Sequence, residues 1–180
     1  MNLVPYKTQP TKYWKVMKKI KLLSGLIAAS TLFVSSLSFA AEETQQDVNG
    51  VILSGHDAVA YFTMNKPVKG YAGISAVHDG AIYHFSSEAN RETFNANPAK
   101  YAPQYGGFCA YGAAIGAKFP IDPTVFAVVD DKLYVNNSAN VSKLWTAKQD
   151  QAITLADKKW SKIRETPSAD LEPDDDLDDE

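Results

Sequence analysis

The chain has 180 residues, 45% hydrophobic and 22% charged, with a formal net charge of −3 and a single cysteine, Cys109. One cysteine excludes an intramolecular disulfide framework, and the absence of a basic excess removes the electrostatic footprint expected of a nucleic-acid binder.

Lys18, Lys19 and Lys21 form a basic cluster ahead of an apolar run from Leu22 to about Leu37 and the small-residue site Ser38-Phe39-Ala40. That order reads as a secretory signal peptide over residues 1–40 and points to a periplasmic or secreted protein. Met17-Lys18-Lys19 would itself make an ordinary start, so residues 1–16 are expected to be a mis-called extension. The apolar run carries five hydroxyl residues and is short of the roughly 20 apolar residues of a membrane span. No stable span is therefore expected after cleavage. Residues 41–53 read as a linker. From 41 to 164 the acidic and basic residues balance at 12 each, whereas residues 165–180, ETPSADLEPDDDLDDE, hold nine acidic residues and no basic one. The mature chain is thus strongly acidic through its tail alone. With no aromatic residue and two prolines, that tail is expected to be disordered and solvated.

Residues 54–164 have the size of one small domain. Asp79-Gly80 predicts a tight hairpin, with 78 paired to 81 and 76 to 83. Ser86 and Ser87 offer N-caps for a helix to about Asn95, which Pro98 ends. Asp130-Asp131 predicts a second hairpin between Val125–Val129 and Leu133–Asn136. Val141, Leu144 and Trp145, then Ile153, Leu155, Ala156 and Trp160, recur at helical spacing. Two hairpins packed with short helices make a small α+β domain.

GHDAVAYF at 55–62, IYHFSSEANRETFNANPAKYAPQYGG at 82–107 and the hairpin-plus-tryptophan end together resemble the YHS domain family, in its exported single-domain branch. The likeness runs from about Gly55 to Trp160. It implies a compact hairpin-and-helix domain with a role in binding metal, copper in particular. The metal-binding version carries three cysteines, and this chain has Ala60, Ser86 and Asn90 at those positions. Alanine has no donor atom, and serine and asparagine are poor ligands for a soft ion. The family's usual thiolate site is absent.

Two binding readings remain open, both non-catalytic. In the first, His56 and Cys109 hold a copper ion, since one imidazole and one thiolate suit Cu(I) in low coordination. In the second, Cys109 is a packed core thiol, and a cleft formed by Tyr105, Tyr111 and Asp57 beside His56 admits a small ligand or a protein partner. An unpaired thiol in an exported protein also suits an intermolecular disulfide. A nucleophilic role would need a base and an oxyanion site, for which only His56 is on offer. His56 itself suits a hydrogen-bonding place beside a short turn. No paired-ligand spacing typical of zinc occurs. Gly106-Gly107 would allow a turn with positive φ, and Gly112 and Gly116 close backbone approach.

Overall fold

The structure, a computed structural model, describes residues 42–174 and 176–177. The segment read as a signal peptide lies outside them. A 3₁₀ turn at Leu53–Gly55 leads into helix α1 (Ala58–Thr63) and a hairpin of β1 (Tyr71–His78) and β2 (Ala81–Phe85). Helices α2 (Glu88–Ala96) and α3 (Pro98–Tyr101) follow, then a 3₁₀ turn at Tyr105–Gly107 and helix α4 (Ala110–Ala114). A second hairpin, β3 (Asp122–Val129) and β4 (Lys132–Asn136), precedes α5 (Ala139–Ala147) and α6 (Gln149–Ile163). The two hairpins form separate antiparallel sheets, so the fold is α+β.

Both hairpin turns have the expected chemistry. Asp79 and Gly80 take φ of 48° and 75°, and Asp130 and Asp131 take 49° and 57°, the positive pair that a type I′ turn requires. The register follows: His78 pairs Ala81, Ala76 pairs Tyr83, Ser75 pairs His84, and Val129 pairs Lys132. Ser87 caps α2 by accepting from the Asn90 N–H, while Ser86 is used elsewhere. Pro98 ends α2 and begins α3 at once, a position where its missing N–H costs nothing.

Strand β4 organises the interior. Leu133 and Val135 face one cluster with Leu53, Val59, Phe85 and Phe94. Tyr134 faces the other, with Trp145, Ala110, Ala113, Ala152 and Ala156. The period of two in a strand buried on both faces thus serves two cores. In the second cluster the alanines of α4 and α6 let the two helices approach closely. Gly112 instead makes room for the chain that follows α4, since a Cβ there would stand 2.8 Å from a ring carbon of Phe119 and 3.2 Å from Ala117 O.

One expectation is corrected. Residues 42–53 are not a linker but part of the body. Gln45 N–H donates to Gly106 O at 2.8 Å and Ile52 N–H to Ile82 O at 3.0 Å, and Ile52 and Leu53 are buried. Burying two such side chains contributes about 1.5–3 kcal/mol each, which outweighs the polar residues before them. The described part of the acidic stretch also rests on the body. Leu177 is 1% exposed in the second cluster, Lys148 Nζ donates to its carbonyl at 2.6 Å, and Lys159 pairs with Asp174 and with Asp176, the latter at 3.0 Å. Composition predicts the tail's solvation, but one leucine and two lysines of the body give it a place.

Lys118 joins these ends. Its side chain is fully buried, with Nζ 5.4 Å from the Phe108 ring centre and 5.3 Å from that of Trp160. Nζ donates to Glu43 Oε2 at 2.9 Å, Arg164 O at 2.9 Å and Thr166 O at 2.7 Å. Three donors meet three acceptors, the condition for burying an ammonium group. Burial alone would raise the Glu43 carboxyl pKa, but hydrogen bonds from Lys118 and Ser168 bring it below the usual range.

Candidate functional site

Asp57 is wholly buried and sits at the N-cap of α1. Oδ1 accepts from the N–H groups of Val59 at 3.0 Å and Ala60 at 3.3 Å. Oδ2 accepts from Ser86 N–H at 2.8 Å, Ser86 Oγ at 2.6 Å and Asn90 Nδ2 at 2.7 Å. A carboxylate offers about four lone-pair sites, so these five donors saturate it. Asp57 therefore ties α1 to the end of β2 and to α2, and it is no pocket residue. Ser86 and Asn90, which stand where the resemblance places thiolates, direct their donors at this carboxylate. Ala60 contributes only its backbone N–H.

His56 follows the 3₁₀ turn. Its N–H and its Nδ1 both donate to Leu53 O, each at 3.0 Å. Burial holds its imidazole below the ordinary histidine pKa, opposed by that hydrogen bond, with Lys69 lowering it further and Asp122 acting against. The ring is thus neutral at neutral pH, in the hydrogen-bonding place that its sequence neighbourhood suggested.

Cys109 precedes α4 and is 1% exposed. Its Sγ donates to Asn136 Oδ1 at 3.5 Å, an oxygen that also accepts from the Tyr111 N–H at 3.1 Å. Burial pushes the thiol pKa up, against the backbone N–H groups of Gly112, Asn137 and Tyr111. Asn136 Nδ2 is buried with no partner among the described residues. None of the hydrogen bonds of His56 or Cys109 joins one to the other. Among the described residues, no group of three or more His, Cys, Asp or Glu is placed to hold a metal ion.

The open space lies elsewhere. A cleft of about 750 Å³ is bounded by the turn of the first hairpin, the chain around Tyr105, the N-terminal segment and the outer face of α6. Its aromatic walls are Tyr83, Tyr105 and Trp160, with the Tyr105 and Trp160 ring centres 5.8 Å apart at 61°. Tyr105 O–H donates to Asp157 Oδ1 at 2.9 Å, and Trp160 Nε1–H donates to Glu42 Oε1 at 3.1 Å. Burial and the neighbouring Asp157 push the Tyr105 phenol pKa well up, so it stays a donor. The left-handed 3₁₀ turn of Gly106 brings this wall close. A Cβ on Gly106 would stand 2.7 Å from Glu43 O and 3.4 Å from the Trp160 ring.

Of the candidate site residues taken from sequence, His56, Asp57, Tyr105, Cys109 and Tyr111, Tyr105 alone lines this cleft. Tyr111 packs against the second cluster, Asp57 is sealed, and His56 stands at its own turn. Glu42, His78, Asp157 and Trp160 went unforeseen as a group because they come from three separate stretches of chain, only Asp157 and Trp160 sharing a helix. The repeated aromatic-plus-carboxylate pairing was the available signal, and it has no spacing to betray it. Compared with family models, with curated proteins and with solved structures, the chain matches none.

Proposed function

We propose that this chain is a non-catalytic binding module of YHS type that acts outside the cytoplasm and takes a small ligand in the cleft walled by Tyr105 and Trp160. The observation that carries the reading is the cleft itself: its volume falls within the range of small-molecule sites, about 300–1,000 Å³, and aromatic walls and polar groups converge on it. The sealed state of Asp57 and Cys109 supports it by removing the competing centres. A copper ion on His56 and Cys109 has less support, since the thiol is buried against Asn136 and the imidazole is engaged with Leu53.

The test is amide and indole NMR of the full chain with a library of small soluble fragments, alongside a Cu(I) titration. Shifts should cluster on Tyr105, Gly106 and Trp160. Binding of one Cu(I) per chain that disappears in Cys109→Ser, with no fragment response at the cleft, would overturn the reading.

A further inference from the structure

We infer that the ligand of this cleft is an organic cation, an alkylammonium or guanidinium group carried on an apolar body; the inference rests on the binding reading above and adds the charge of the ligand. The lining holds four carboxylates, Glu42, Asp79, Asp157 and Glu165, against one guanidinium, Arg164. Arg164 is already matched, with Nε 3.5 Å from Glu165 Oε1, and Asp79 lies 3.3 Å from His78 Nε2. Glu42 and Asp157 have no cationic partner among the described residues. Each is instead held by the polar tip of an aromatic wall, Trp160 N–H for Glu42 and Tyr105 O–H for Asp157. One donor orients each carboxylate and leaves its other lone pairs for a visitor.

Trp160, the partly exposed ring of the wall, then supplies the second half of the recognition, while Tyr105, 5% exposed, only orients Asp157. An ammonium or guanidinium group near a tryptophan or tyrosine face gains attraction from the ring quadrupole, and the apolar body covers the ring. The molecule already places a cation by Trp160, since Lys118 Nζ lies 5.3 Å from the ring centre. A bare metal ion is the wrong visitor, because the cleft is far wider than one ion and, among the described residues, no group of three His, Cys, Asp or Glu is placed to hold one. An anion would meet the carboxylates, and a neutral ligand would leave them without a counter-charge.

The experiment follows the Trp160 indole N–H signal of the full chain while benzylamine, benzyl alcohol and benzoate are added separately. Benzylamine should shift it saturably and the other two should not. Asp157→Asn should weaken benzylamine about fivefold, with Glu42→Gln as a second variant and an unfolding curve to show that each is folded. Moderate salt should weaken it further. Equal binding of all three probes, or of benzyl alcohol alone, overturns the cation and leaves the cleft reading standing. No response to any of them overturns both. A free diamine, cadaverine, and a blocked lysine, N-acetyl-lysine methylamide, then separate two sources of the same chemistry: tighter binding of the blocked lysine assigns the cation to a peptide side chain, and tighter binding of the diamine to a free amine.

Discussion

Asp57 and Asp157 are both aspartates set against aromatic-rich structure, yet they are treated in opposite ways. Asp57 has no exposure and five donors on its two oxygens. Asp157 is exposed on α6 and receives one, from Tyr105. A buried carboxylate persists only when its lone pairs are filled, so Asp57 has nothing left with which to bind. An open one can keep lone pairs for a ligand because water fills them meanwhile. The difference separates the residues that make the fold from those that face a ligand, and it reassigns Asp57 from pocket to scaffold.

The sharpest way to break this comparison is to remove the scaffold carboxylate. Asp57→Ala takes away the cap of α1 and strands the Ser86 and Asn90 donors in the interior. It should cost about 3–5 kcal/mol, read as a large fall in the urea midpoint. A loss under about 1 kcal/mol would mean the network is not closed. Deleting residues 172–180 comes next. It exposes the Leu177 site and releases Lys159 and Lys148, and should cost about 2 kcal/mol. An unchanged midpoint would restore the view of the tail as solvated chain.

Smaller effects follow. Cys109→Ala should cost about 1 kcal/mol through a small cavity. The native thiol should resist alkylation until the chain unfolds, because burial removes access and raises its pKa. With the folded pKa raised, its contribution to stability is complete below the unfolded thiol value and declines as pH rises past it. Rapid labelling at neutral pH would contradict the packing. Glu43 behaves oppositely. Its folded pKa lies below the usual 4.5, so its contribution is present above that value and is lost as pH falls through the folded one. Lys118→Met should flatten this acid limb, and an unaltered limb would detach Glu43 from Lys118. The smallest change is expected for Asp157→Asn, within about 0.5 kcal/mol of the parent. A larger loss would move Asp157 to the scaffold side.

Much of the fold was legible because local chemistry determines it. Asp79-Gly80 sets its hairpin register, and Ser87 starts α2 by a cap that any unfolded chain already carries. What was hidden is helix without a polar face. AVAYFT in α1 is buried at four of its six positions, and AYGAA in α4 is buried at four of five, so neither shows a helical period. Their starts depend on Asp57 and on close approach to α6, which only the tertiary structure supplies. The seat of Leu177 in the second cluster was hidden, since it is one apolar residue among carboxylates. Of the cleft, only Tyr105 was visible as a pocket residue. Its partner Asp157 is 52 residues away, and nothing local marks an aspartate that a tyrosine will orient.

The most direct measurement is carboxyl-carbon NMR of the full chain labelled in aspartate, recorded as benzylamine is added. The Asp157 signal should move with the probe concentration while that of Asp57 stays fixed. Movement of Asp57, or no movement of Asp157 at saturating probe, would contradict the division between a filled scaffold carboxylate and an open one.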